Sequence, residues 1–170
     1  MVGVRSALAL ALALLLAACS RADAEGPTGV TEVSGRAPEL SGATLGGATI
    51  GPSDYTGRVL VVNFWATWCG PCRREQPALS KVEAAQPEDG AVFVGVNFRD
   101  DPAAARAYLE EFGVAYESLE DPSGSIAYRF GVPYLPATIV VDRDGDLRFR
   151  VVGAIDEDTL TALIADASSG

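Results

Sequence analysis

The apolar positions along the chain fall into runs of two different periods. Val59 to Trp65 is almost wholly apolar and rich in β-branched residues, with turn residues at its borders. That pattern predicts a strand buried on both faces, as in a parallel sheet. Ala91 to Phe98 predicts a second such strand, Tyr116 to Leu119 a short one and Ala137 to Val141 another. Asp142-Arg143-Asp144-Gly145 predicts a hairpin turn, with Leu147 to Val152 as the returning strand. Between the strands the spacing turns helical. Gly70 to about Gln86 reads as a helix with Pro71 in its first turn, where the missing N–H costs little. Leu79 and Val82 keep helical spacing, Pro77 is expected to kink the helix and Pro87 to stop it. Asp101-Pro102 opens the next helix, with Ala104, Ala105, Tyr108 and Phe112 on one side and Gly113 as its cap. Ser123 to Phe130 predicts a short helix ended by Gly131. Asp156 to about Ala167 predicts the last helix, with Leu160, Leu163 and Ile164 inward and acidic residues at its N-terminus, where they suit the helix dipole. The order β-α-β-α-β-α-β-β-α is that of an α/β fold, a central mixed sheet flanked by helices.

Upstream, Pro38 to Thr56 carries short β-type pieces around Leu40 and Ala48 to Ile50, joined through Gly46-Gly47, which predicts an N-terminal β-hairpin extension. Residues 20–35 are small and polar and read as a flexible tether, leaving residues 36–170 as the domain. Residues 1–19 read as an export signal, with Arg5 ahead of twelve apolar residues, Ala7 to Ala18, a run too short to span a bilayer comfortably. The run ends in Leu16-Ala17-Ala18-Cys19, which resembles the bacterial lipobox. The resemblance implies that Cys19 receives a diacylglycerol thioether and begins the mature chain. The domain is then expected at the extracytoplasmic face of the bacterial cell membrane, held by acyl chains at roughly 0.8 kcal/mol per buried CH₂. The alternatives are an ordinary cleaved signal with an incidental cysteine and an uncleaved anchor.

Composition narrows the chemistry. With 170 residues, 48% of them apolar, the chain holds one domain with a core plus an appendage. The net charge of −10 argues against nucleic acid and against an anionic lipid face. The absence of histidine removes His-based general base catalysis and most zinc and copper sites. The three cysteines are Cys19, Cys69 and Cys72, so no pair is left over as a structural staple. Cys69 and Cys72 are spaced C-x-x-C. Zinc would need two further ligands, and the only methionine is the initiator, which weakens a copper-chaperone reading. A structural disulfide across two residues closes too small a loop to stabilise much. A redox dithiol remains. Cys69 falls at a strand–helix junction, where free N–H groups and the helix dipole favour a thiolate. Arg73 and Arg74 either add positive potential or are simply solvated. Cys72 lies one turn into the helix. Cys69 would attack a partner disulfide, and Cys72 would resolve the mixed disulfide and release the reduced partner.

Trp65-Ala66-Thr67-Trp68-Cys69-Gly70-Pro71-Cys72 resembles the active site of the thioredoxin-like fold. With Val62-Asn63-Phe64 before it, Glu75 and Pro77 after it, and Leu135-Pro136-Ala137-Thr138 further on, the chain is similar over residues 36 to 167 to the TlpA/ResA-like thiol–disulfide oxidoreductases. That resemblance implies that Pro136 is a cis-proline facing the cysteine pair, with Pro133 the competitor and a plain strand-opening proline the alternative. It implies that Leu135 offers backbone to an incoming peptide, and it adds Trp68, Gly70 and Pro71 as substrate contacts. Trp65 is expected to pack, and both tryptophans could equally be core. Where cytoplasmic thioredoxin has a buried acid, this chain has Asn63. Glu75 matches the family's acid three residues after the second cysteine, on the same helical face as Cys72. It would either help deprotonate Cys72 or raise its pKa, the alternative being a surface glutamate. The relatives mostly act as reductases, for example on the haem-binding cysteines of apocytochrome c. The expected partners are exported proteins with disulfides and a membrane electron donor, with no cofactor, no metal and a monomeric chain. The rivals are a peroxiredoxin-type peroxidase, which needs a Pro-x-x-x-Thr-x-x-Cys run absent here, and a non-catalytic metal- or haem-delivery module.

Overall fold

The computed structural model describes residues 29–169. The export signal, Cys19 and most of the expected tether lie outside the described residues. A six-stranded mixed sheet has the order β1-β8-β7-β4-β5-β6. Its strands are β1 (Gly29–Glu32), β4 (Leu60–Trp65), β5 (Val92–Phe98), β6 (Ser118–Asp121), β7 (Ala137–Val141) and β8 (Leu147–Val152). β4, β5 and β6 run parallel, while β7 is antiparallel to β4 and to β8. A separate pair, β2 (Gly42–Ala43) and β3 (Thr49–Ile50), forms the expected N-terminal hairpin. The helices are α1 (Gly70–Ala84), α2 (Pro102–Phe112), α3 (Ser125–Arg129) and α4 (Glu157–Ser168).

Every residue of β4 is buried, as its unbroken apolar run requires. Its even positions, Leu60, Val62 and Phe64, join Val94, Val96, Ile139 and Val141 in a core covered by α3 and by Leu40 and Ile50 of the N-terminal segment. Val61 faces the other way, into a core with Leu79 of α1 and Leu160 and Ile164 of α4. By the same alternation Asn63 and Trp65 point to that second face, beneath α1.

Four expectations need correction. Residues 29–32 are not tether: they pair with β8 from Gly29↔Val152 to Glu32↔Phe149. This strand is exposed throughout and is paired to β8 through its backbone, so no apolar period marks it. Leu40 lies outside the hairpin strands and is instead fully buried. β6 starts two residues late, because Tyr116 is buried as a side chain ahead of the ladder. On α2 only Ala105 and Tyr108 are buried; Ala104 is exposed. The helix borders follow the expected signals. Asp101 and Asp156 cap α2 and α4 by accepting from Ala104 N and Thr159 N, and Gly113 closes α2 in the left-handed region at φ 59°. α1 continues through Pro77. Leu45 N donates to Ser118 O, so the hairpin covers the edge at β6 that would otherwise be open.

Candidate active site

Residues 66–69 carry the chain from the end of β4 into α1. Cys69 is the N-cap of α1, with extended backbone at φ −87° and ψ 99°, and its Sγ accepts from Cys72 N at 3.2 Å. The sulfur occupies the place that a serine or aspartate oxygen usually fills, where free N–H groups and the positive helix end favour negative charge. Cys69 and Cys72 form a disulfide with an S–S distance of 2.04 Å. Cys69 is 5% exposed and Cys72 1%, so a partner reaches Cys69 first. Gly70 is exposed and Pro71 half-buried over the pair. Tyr108 donates its hydroxyl to Cys72 O at 3.2 Å and stacks on the buried Trp65 with ring centroids 4.5 Å apart. The Arg73 guanidinium lies over the Tyr108 and Phe112 rings, and Arg74 is exposed.

Glu75 is no surface residue: it is 3% exposed. Its Oε1 accepts from Asn63 Nδ2 at 2.8 Å, and its Oε2 from Ile155 N at 3.0 Å. Burial pushes its carboxyl up to about 7, against the opposing pull of the Asn63 and Ile155 hydrogen bonds. Asn63 Nδ2 also donates to Thr138 Oγ1 at 3.3 Å, while Asn63 Oδ1 finds no partner among the described residues. A carboxyl that changes charge near neutrality therefore sits one helical turn beyond Cys72, on the same buried face.

The Leu135–Pro136 bond is cis, and Pro136 directly precedes β7, whose Ala137 pairs with Phe64 of β4. Leu135 packs against the cluster that holds Cys69 and Cys72. Leu135 also lines an apolar groove of about 310 Å³, together with Trp68, Phe98, Ala127 and the loop through Val132, Pro133 and Tyr134. Trp68 and Tyr134 are 60% and 73% exposed at its walls. A second hollow, of about 340 Å³, lies at the opposite end of β4 between Arg36, Tyr55 and the Asp142–Gly145 turn, away from any reactive group.

The structure thus brings Cys69, Cys72, Glu75, Leu135 and Pro136 to one end of the sheet, with Trp68, Gly70 and Pro71 around the pair. Sequence reasoning missed Thr138, Ile155, Tyr108 and Asp100. The Asp100 carboxylate accepts from Thr67 N at 2.6 Å and from Thr67 Oγ1 at 2.7 Å, just ahead of the cysteines. Partial burial opposes its charge, but hydrogen bonds from Thr67, Asn97 and the Asp101 N–H outweigh that and hold it below the ordinary carboxylate range. The doubled acid in Asp100-Asp101-Pro102 was the available signal: Asp101 is the cap, which left Asp100 without a role.

The model of the Redoxin family matches residues 32–164. Thiol:disulfide interchange protein HelX of Rhodobacter capsulatus is 38% identical over 67% of this chain and 63% of its own length. The chain therefore spans a little under two thirds of that relative. The soluble secreted antigen MPT53 of Mycobacterium tuberculosis is 32% identical over 77% of this chain and 76% of its own. Among solved structures, that of M. tuberculosis DsbF in mixed oxidised and reduced forms superposes with a TM-score of 0.71 at 32% identity, covering 78% of this chain and 99% of that one.

Proposed function

Because the chain belongs to the Redoxin family, among its thioredoxin-like thiol–disulfide oxidoreductases, we propose that it reduces disulfides of exported proteins through Cys69 and Cys72. The observation that carries this is the disulfide capping α1, with Cys69 Sγ on the Cys72 N–H. In the reduced state that cap stabilises the Cys69 thiolate as nucleophile. The thiolate attacks one sulfur of a client disulfide, and the other client sulfur leaves with the electron pair. Cys72, deprotonated, then attacks Cys69 Sγ, which closes the protein disulfide and frees the second client thiol. Glu75, one turn on, takes the Cys72 proton in its carboxylate form. Its charge beside the pair also opposes thiolate build-up, which favours the disulfide in this protein and so favours giving electrons to clients. The Gly70-Pro71 dipeptide, as in thioredoxin, leans the same way.

Clients dock with the reacting cysteine at Cys69, backbone along Leu135-Pro136 and flanking side chains in the groove beside Trp68. The name of one relative, a secreted antigen, supports an extracytoplasmic site of action. Cys19 supplies the lipid anchor and a membrane carrier supplies the electrons, with apocytochrome c among the clients. No helix among the described residues is long and apolar enough to cross a membrane. The test is a Cys72→Ser trap expressed in a bacterial envelope. It is expected to accumulate mixed disulfides through Cys69, identifiable by mass spectrometry, and the wild type to reduce insulin disulfides. A trap that captures nothing, with no insulin reduction by the wild type, overturns the reading. Cys19→Ser is expected to release the protein from membranes.

A further inference from the structure

The segment that presents Cys69 is tied down from outside. Thr67 gives both its backbone N–H and its hydroxyl to the Asp100 carboxylate, one to each oxygen. The same carboxylate takes Asn97 Nδ2 at 3.0 Å and Asp101 N at 3.0 Å, so four donors converge on it. Next to it, the Arg99 carbonyl accepts from Trp68 Nε1 at 3.4 Å, the hydrogen bond made by that exposed indole. We propose that Asp100 is a positioning residue: by locking Thr67 to the loop between β5 and α2 it holds Trp68 as the wall of the groove beside Cys69, and so sets the preference for clients with an apolar side chain next to the reacting cysteine. This rests on the docking reading above and goes beyond it in naming the residue that shapes the groove.

The loop is built to do this. Arg99 is the one non-glycine residue with positive φ, 45°, among the described residues. That conformation is unfavourable for a long side chain and persists only where neighbours enforce it. Here Arg99 N donates to Asp121 O, while Nε and Nη2 both donate to Ser123 O at 3.1 and 2.9 Å. The guanidinium also lies 5.0 Å from the centre of the Phe98 ring. Gly124 makes room, since a Cβ there would stand 2.7 Å from Phe98 Cε2 and 2.8 Å from Arg99 Nε. The left-handed turn at Arg99 lets its own carbonyl meet Trp68 while the next residue's carboxylate meets Thr67.

An asparagine cannot stand in for Asp100. Each carboxylate oxygen receives one backbone N–H, from Thr67 or from Asp101. Either orientation of an amide turns its NH₂ onto one of those donors. Asp100→Asn therefore keeps the shape and breaks the lock.

The test is single-turnover reduction of two disulfide peptides by the reduced protein, one with Phe beside the reacting cysteine and one with Ser there. The wild type is expected to half-saturate with the Phe peptide at a concentration on the order of tenfold lower. Asp100→Asn is expected to shrink that advantage to about twofold with the plateau rate kept, and to raise iodide quenching of tryptophan emission as the indole is released. Trp68→Ala loses the advantage outright, and the double variant is no worse than Trp68→Ala alone. If Trp68→Ala keeps the advantage, the groove reading falls and the proposal with it. If Trp68→Ala loses it while Asp100→Asn keeps it, the groove stands and the positioning role alone is refuted. A loss of thermal stability in Asp100→Asn without a change in quenching or preference marks a merely structural role and also refutes it.

Discussion

Replacing Glu75 by Gln removes a charge and keeps the shape. In the folded protein the Glu75 carboxyl titrates at about 7, pushed up by burial from an ordinary value of 4.5. Between those values the folded protein holds a proton that the unfolded chain has released. The associated stability is therefore complete below the unfolded value and is lost as pH rises through about 7. A shift of this size corresponds to about 3 kcal/mol, of which about 2.5 kcal/mol disappears between pH 5 and pH 8. Little else obscures it, because the chain has no histidine and the oxidised Cys69–Cys72 pair does not titrate. The assay is urea unfolding of the oxidised wild type and of Glu75→Gln at both pH values, with m compared to confirm that the denatured states match. The variant is expected to start lower at pH 5, since its NH₂ faces either the Asn63 or the Ile155 donor, and to lose less than about 1 kcal/mol across the interval. Equal losses in the two proteins would refute a buried carboxyl that titrates near neutrality, and with it the proton-handling role given to Glu75.

Three further outcomes follow from the packing. Asn63→Asp sets a second carboxylate where an amide now donates to Glu75 at 2.8 Å; it is expected to cost about 3 kcal/mol at pH 7, and less as pH falls and the pair keeps a proton, read by denaturant unfolding across pH. Gly95→Ala drives a Cβ into Ser118 Oγ and to 2.9 Å from Trp65 Nε1; a loss of about 1–3 kcal/mol is expected, partly restored by Ser118→Gly, and an unchanged melting temperature would contradict the close β5–β6 approach. Leu40→Ala empties a fully buried position in the core under α3; it is expected to cost about 2–5 kcal/mol, where a value under about 1 kcal/mol would mean that the N-terminal segment does not seal that core.

What the sequence discloses is local. The all-apolar run of β4, the proline one residue into α1 and the glycine after α2 each carry their own conformational instruction, and those elements stand within a residue or two of where the pattern puts them. The C-x-x-C pair is legible for the same reason, since both sulfurs lie within one helical turn. What stays hidden is paired across distance. Only the family resemblance marks Glu75; its burial does not show until Ile155, eighty residues on, donates its N–H. Asp100 reads as a loop acid until Thr67 is brought against it by a parallel strand pair. β1 is hidden for a different reason: an exposed Gly-Val-Thr-Glu has no side-chain period and exists only because β8 offers it an edge.

That edge strand also fixes where a leash would be tied. Gly29 pairs with Val152, Val152 with Ala137, and Ala137 with Phe64, the residue before the last of β4. The four lie in one row across the sheet, at the end from which the chain continues to Cys69. Three strand spacings separate the outermost pair, about 14 Å. Gly29, where the described residues begin, thus stands at the dithiol end of the sheet rather than behind it. With Cys19 as the anchor, the ten residues from there to Gly29 reach at most about 35 Å. An anchor at Cys19 would thus keep Gly29, at the dithiol end of the sheet, within that distance of the bilayer.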